Sequence, residues 1–220
     1  MTDGVFVAAY GERALAEARA LVRRVGEVWP DVACRMREYD APSSPLLAMS
    51  VKVQGMKDAP FDRTLFLDAD TWVVEPVPEV FETLERFDVA LAHAPWREVY
   101  DVGVPLCFPE HNGGVVAFRR SCELDDVLAR WERQFLRDSE ERTDERRVGY
   151  FPSQASLRHV LYDSDLRVCT LPPEYNWRGT GYVHHKVRIV HKRPDPRGEA
   201  RRINSVEGPR VATLHEVMAL

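Results

Sequence analysis

Short apolar runs alternate along this chain with stretches in which apolar residues recur every three or four positions. Residues 5–9 form such a run and predict a strand. Ala14, Leu15, Ala18, Leu21, Val22, Val25 and Val28 then fall on one helical face, predicting a helix to about Trp29 that Pro30 stops. Residues 32–39 predict a second strand, which completes a βαβ unit. Residues 46–57 predict a helix with Leu47, Val51 and Gln54 or Met56 turned inward. The run at 64–67 suits a strand buried on both faces, as in a parallel sheet under helices. Pro76 and Pro78 open a predicted helix over 79–86, and 88–92 predicts another buried strand.

The second half continues the alternation less regularly. Residues 94–110 show no period and contain three prolines, which predicts a lid or acceptor-facing loop. Paired glycines, Gly113 and Gly114, precede an apolar run to Phe118; they suit a tight turn or a close approach of backbone to a ligand. Ser121 caps a predicted helix with Leu124, Val127, Leu128, Trp131 and Phe135 on one face, a core stripe. Residues 138–147 carry mixed charge and no apolar residue, predicting a solvated or disordered loop. A short helix over 152–162, a strand over 166–171, an irregular aromatic segment over 172–178, a strand over 187–191 and an edge strand over 211–214 complete the pattern.

Length and composition narrow the possibilities. A chain of 220 residues predicts one domain, taken as 1–220. A net charge of −5 favours neither nucleic acid nor an anionic membrane as partner. The expectation is of no transmembrane segment and no signal peptide. Cys34, Cys107, Cys122 and Cys169 are widely spaced and read as reduced, mostly buried thiols of a cytoplasmic protein.

Chemistry concentrates where the 64–67 run ends in Asp68 and Asp70. On extended chain the two carboxylates share one side, about 6.6 Å apart. Their repulsion costs about 1 kcal/mol even in water, and a divalent cation removes it. Oxygen ligands favour Mg²⁺ or Mn²⁺; the bland alternative is a polar turn with Asp70 as a cap. Lys52 is placed to approach this strand end, or is simply a solvated surface lysine. Ala8, Ala9 and Tyr10 stand where a βαβ unit usually lines its ligand crevice, with Tyr10 either facing a ligand or covering the helix edge. His191, followed by Lys192 and Arg193, ends the late strand; alone, such residues are usually structural or surface groups.

Taken together these segments resemble nucleotide-sugar glycosyltransferases of the GT-A fold, family 8 type, a group that includes glycogenin, galactinol synthase and lipopolysaccharide galactosyltransferases. The likeness extends from Val5 to about Arg193. Leu65-Phe-Leu-Asp-Ala-Asp-Thr71 resembles the hydrophobic strand with its D-x-D motif, and Lys52 stands sixteen residues before Asp68 as the donor-contacting lysine does. Asn112-Gly113-Gly114 resembles the segment beside the donor sugar, Pro173-Glu-Tyr-Asn176 the L-P-x-x-Y-N stretch, and Val190-His191 the strand whose histidine completes the metal site.

The resemblance implies an α/β, Rossmann-like fold with a mostly parallel central sheet flanked by helices. It implies a Mn²⁺ (or Mg²⁺) site made by Asp68, Asp70 and His191, with the ion bridging the phosphates of a nucleotide-diphosphate sugar. Ala8, Ala9, Tyr10, Lys52, Asp68, Ala69, Asn112, Gly113, Gly114, Lys192 and Arg193 would hold that donor, and Gln154, Asn112 and Lys52 would serve catalysis. The implied activity is transfer of a hexose, from a UDP-linked donor and with retention, to an acceptor that the sequence does not name. Ser153-Gln154 departs from the Asp-Gln of many relatives and removes one carboxylate near the sugar. A front-side path, in which the leaving phosphate takes the acceptor's proton, needs no such carboxylate.

Two competing readings differ in class. A haloacid-dehalogenase-type phosphatase wants threonine where Trp72 stands, and wants its motif near the domain start. A nucleotide-sugar-binding or scaffold protein with a decayed site would fit Ser153, but Asp68, Asp70, Lys52 and His191 argue against decay.

Overall fold

The computed structural model describes residues 1–44, 47–95, 103–140, 153–179 and 181–212. β1 (Asp3–Ala9), α1 (Gly11–Val28) and β2 (Ala33–Glu38) form the expected βαβ unit. β2 pairs parallel with β1 from Gly4–Ala33 to Ala9–Glu38. Next come α2 (Ala48–Asp58), β3 (Arg63–Leu67), β4 (Thr71–Val73), α3 (Glu79–Thr83), β5 (Val89–His93) and β6 (His111–Arg119). The chain continues with α4 (Cys122–Glu140), α5 (Ser153–Tyr162), β7 (Val168–Leu171), β8 (Gly181–Val183), β9 (Ile189–His191), α6 (Pro196–Asn204) and β10 (Arg210–Ala212).

Six strands make one sheet in the order β2-β1-β3-β6-β5-β7. Only β6 runs against the others, pairing antiparallel with both β3 and β5. Side chains alternate between the two faces, as strand geometry requires. Val5, Val7, Leu65 and Leu67 join one core with Leu15, Ala18, Leu21 and Val25 of α1 and Val80 and Phe81 of α3. Phe6, Phe66, Val116 and Phe118 join another with α2, α4 and α5. Leu65, Phe66 and Leu67 are at most 1% exposed; burying each contributes roughly 2 kcal/mol of transfer free energy. β3 is thus a strand covered on both sides, as its apolar run requires.

A third, smaller core lies outside this sandwich. Trp177, Val183, Val187, Val190, Ala200 and Ile203 pack together, with Trp72 and Val74 against them. Its backbone is a pair of two-stranded sheets, β4 with β9 and β8 with β10. A single 3-10 turn over Pro173–Tyr175 leads into it. Arg24 of α1 ties it to the main body, donating to the carbonyls of Val73 and Val74 while its guanidinium lies over Trp72.

Several sequence expectations need correction. The inward face of α2 is Met49, Val53, Gly55 and Met56, whereas Leu47 precedes the helix and is 37% exposed. Gly55 sets that face: a Cβ there would lie 2.4 Å from the Ala8 Cβ, so only glycine lets the helix come this close to β1. α3 ends at Thr83, with Leu84 following it in a turn. Asp138 is not in a loop but in the last turns of α4, where it accepts from Gln134 and from Ser156. The late strand is only Ile189–His191, and it pairs with β4, an element the apolar pattern did not suggest. The segment that makes α6 was likewise unassigned. The expected lid at 96–102, the charged loop at 141–147 and the end of the edge strand at 213–214 lie outside the described residues.

Candidate active site

β3 delivers Asp68 to the carboxyl edge of the sheet. Instead of continuing extended, the chain turns at once. Thr71 donates to the Asp68 carbonyl through both its backbone N–H (3.1 Å) and its hydroxyl (2.8 Å). The shared side of Asp68 and Asp70 therefore comes from a tight turn, not from strand geometry. β4 leaves this turn and pairs antiparallel with β9, putting Thr71 opposite His191. The imidazole is thereby brought back to the acids. His191 Nε2 lies 3.3 Å from Asp70 Oδ1 and 3.8 Å from Asp68 Oδ2. One ligand atom from each of the three residues falls within 4.8 Å of the others, the one such cluster among the described residues.

The paired glycines are neither a turn nor a prelude to β6; they lie inside it. Their role is spatial. A Cβ on Gly114 would sit 1.9 Å from His191 Cε1, so the ring occupies space that any side chain at 114 would fill. A Cβ on Gly113 would meet the Trp131 ring at 3.1 Å. Gly114 also accepts from Asp68 N–H at 2.8 Å, which extends the β3–β6 ladder to the first acid.

Charge is arranged unevenly around the acids. Lys52 Nζ, from α2, lies 2.7 Å from Asp68 Oδ1 and 2.8 Å from Oδ2, so it neutralises that carboxylate through both oxygens. Burial raises the Asp70 pKa, but a hydrogen bond from His191 when that ring is protonated, the ring's charge in that state and the charges of Lys52 and Lys192 together outweigh it. Asp70 is held below the usual carboxylate range and stays ionised. His191 is 4% exposed, and its Nδ1 is bonded to Asn176 Oδ1 at 2.9 Å.

A cleft of about 400 Å³ opens over this group. Lys52, Asp68, Asp70, Asn112, Gly113, Gly114, Gln154, His191 and Lys192, all site candidates from the sequence, line it. Met49, Trp131, Ser153 and Arg178 line it too; of these, none was singled out for a site role except Ser153, by its departure from the family pattern. The Trp131 indole N–H donates to the Ser153 carbonyl at 2.9 Å, which fixes the start of α5 on the cleft wall. A second cleft of about 430 Å³ lies between α1 and the turn after β9, and shares Asp70 and Lys192 with the first. Ala69 lines this second cleft. Lys192 holds a left-handed φ of 54° while its N–H donates to the Asp70 carbonyl at 2.9 Å, so a strained residue joins the two clefts.

The remaining sequence candidates do not line the first cleft. Arg193 also lines the second cleft, but its Nε is held by Glu199 at 2.6 Å. Ala8, Ala9 and Tyr10 sit at the carboxyl end of β1, just past the Val7–Leu67 pair that aligns β1 with β3. Ala9 is buried in the core, and Tyr10 stands at the start of α1 with part of its surface open.

Sequence comparison finds no matching family model and no matching curated protein. Solved structures do match. The chain is similar to the galactosyltransferase LgtC in complex with donor and acceptor sugar analogs, with a TM-score of 0.57 and 15% identity over 93% of this chain and 94% of that one. It is similar to a glycosyltransferase involved in glycosylation of the major capsid of PBCV-1, with a TM-score of 0.55 and 13% identity over 93% and 99%. It is also similar to the apo form of the glycosyltransferase GlyE of Streptococcus pneumoniae TIGR4, with a TM-score of 0.55 and 14% identity, spanning 99% of this chain but 59% of GlyE. At such identities the likeness is one of architecture: the chain has the GT-A fold of these glycosyltransferases, with an Asp-Asp-His cluster at the edge of its central sheet.

Proposed function

We propose that residues 1–220 form a single-domain, metal-dependent glycosyltransferase that moves a hexose from a UDP-linked donor to an acceptor, with retention. The observation that carries the reading is the convergence of Asp68, Asp70 and His191 beside a cleft lined by amides, on a fold shared with sugar transferases. The donor set fits a divalent ion. Two carboxylates and one imidazole nitrogen form a mixed O,O,N set that suits Mn²⁺, with Mg²⁺ as alternative. Asp70 and His191 would be the direct ligands, while Asp68 shares its oxygens with Lys52 and would touch both the ion and the donor ribose. Such an ion, when bound, neutralises the diphosphate as it leaves.

The chain's own groups supply the rest. Lys52 and Lys192 both place positive charge near Asp70, where the leaving phosphates would lie. Asn112 and Gln154 form a rigid amide wall toward which the sugar would be turned, with Asn112 Nδ2 donating to Gln154 Oε1. One matching structure is an active-site mutant of LgtC in which a glutamine becomes glutamate, which suits a site role for Gln154. Tyr10, just past the end of β1 and partly exposed, would stack on the base, with Ala8 and Ala9 preceding it at that strand end. Gly113 and Gly114 would present bare backbone to the donor along the cleft wall, Ala69 stands between the two acids, and Arg193 would lie on the phosphate side. Among the described residues no helix is long and apolar enough to cross a membrane. The four cysteines are free, and are exposed or half-buried where the sequence predicts mostly buried thiols; free thiols suit a cytoplasmic setting.

A thermal-shift panel of UDP, GDP and ADP with and without Mn²⁺ tests the binding step, since a ligand of the native state raises the melting temperature. UDP with Mn²⁺ is expected to give the largest shift. Turnover is tested by release of UDP from UDP-glucose and UDP-galactose. Donor binding without any turnover would favour a decayed binding protein over an enzyme.

A further inference from the structure

A chain of side-chain amides runs from His191 to the opposite wall of the cleft, and one backbone group fixes its direction. Gly114 N–H can only donate, so the Asn112 atom 3.0 Å from it is the oxygen Oδ1. Asn176 faces that same oxygen at 2.9 Å and must present its amide nitrogen there. The Asn176 oxygen is left to face His191 Nδ1, 2.9 Å away. Nδ1 must therefore carry a hydrogen. In the neutral ring the lone pair is then on Nε2, the atom aimed at Asp70 and Asp68. On its other side Asn112 donates to Gln154 Oε1 at 2.5 Å, and Gln154 Nε2 lies 3.5 Å from Glu110 Oε1. Asn112, Asn176 and His191 are each at most 4% exposed, so water does not compete for these bonds.

We propose that Asn176 is a positioning residue: it holds His191 as the Nδ1–H tautomer, so that Nε2 is the atom offered to a divalent cation. It also joins the cation half of the cleft to the Asn112–Gln154 half. Every amide in the chain donates away from His191 toward the Glu110 carboxylate, so the acceptor strength of each carbonyl is reinforced by the next. An imidazole whose second nitrogen donates to a fixed acceptor is a better and better-aimed ligand. The inference rests on the metal-dependent reading above.

The test uses the full chain labelled with ¹⁵N-histidine. In the metal-free protein at alkaline pH, the His191 ring is expected to keep its hydrogen on Nδ1. Mn²⁺ affinity, read by calorimetry, is expected to fall about 10- to 100-fold in Asn176→Ala. Asn176→Asp keeps an acceptor for Nδ1–H and is expected to restore most of that loss. A wild-type ring protonated on Nε2 overturns the proposal, as does a folded Asn176→Ala that binds Mn²⁺ within about twofold of wild type. Either result leaves the transferase reading intact, whereas wild-type protein that binds no Mn²⁺ sinks that reading and this inference with it. If Asn176→Ala does not fold, the wild-type tautomer alone decides.

Discussion

Asp68 and Asp70 hang from the end of β3, which is hydrogen-bonded on both edges and packed on both faces. His191 hangs from β9, three residues long, whose sheet partner is the equally short β4. The first region holds its groups by a continuous sheet and two large cores. The second holds its group by the small Trp177 core, the Arg193–Glu199 ion pair, the Asn176 hydrogen bond and the contact of His191 with Gly114. The site forms only where the two regions meet. Its carboxylates are therefore expected to be rigid, and its imidazole to be as stable as the smaller region is.

The largest expected effect acts on the junction itself. Asp70→Ala is expected to abolish UDP release and the Mn²⁺-dependent rise in melting temperature, while leaving the metal-free melting temperature close to wild type. Retained Mn²⁺ dependence would show that the acids and His191 do not share an ion.

The next substitution breaks the comparison from the weaker side. Glu199 accepts from the Trp177 indole at 2.7 Å and from Arg193 Nε at 2.6 Å, and is 5% exposed. Glu199→Ala removes the acceptor of both the Trp177 indole and the Arg193 guanidinium, which borders the second cleft, at a cost of about 1–3 kcal/mol. Hydrogen exchange is expected to quicken in 177–204 while the amides of β1, β3 and β6 stay protected. Uniform loss of protection would mean that the two regions unfold as one.

Gly114→Ala tests the contact between the regions. Overpacking of this kind costs about 1–3 kcal/mol, and here the cost falls on the position of His191. Mn²⁺ affinity is expected to drop more than stability does, as seen by calorimetry beside a denaturant titration.

The smallest effect belongs to the sheet alone. Burial, with the charge of His93 as a lesser cause, lowers the His111 pKa to about 4 from 6.5. The folded state thus resists protonation, and stability present above pH 6.5 is lost as pH falls from there through about 4. A loss on the order of 1–3 kcal/mol is expected across that window. His111→Gln should flatten this part of the profile, and an unchanged slope would place the acid sensitivity elsewhere.

The sequence made the sheet legible because its strands are buried on both faces and its helices keep one apolar stripe. The runs at 5–9 and 64–67 and the stripe from Leu124 to Phe135 all carry that mark, and each was found close to its expected bounds. β4, β8 and α6 were missed because they are short or polar, and draw their order from other segments: β4 from β9, β8 from β10, and α6 from Trp177, Val187 and Arg193. The acids were found as a pair, but for a strand geometry that a turn replaces.

By itself, then, the chain's pattern of apolar positions determined the layered sheet and the place where two carboxylates leave it. Only the tertiary structure decided that Gly114 is a hole for the His191 ring, that Arg193 turns to Glu199, and that Asn176 sets which imidazole nitrogen faces the acids. The physical reason is range. Burial leaves a local, periodic trace in the residues that undergo it, whereas a hydrogen bond's direction and a missing Cβ act between residues far apart in the chain and leave no period to read.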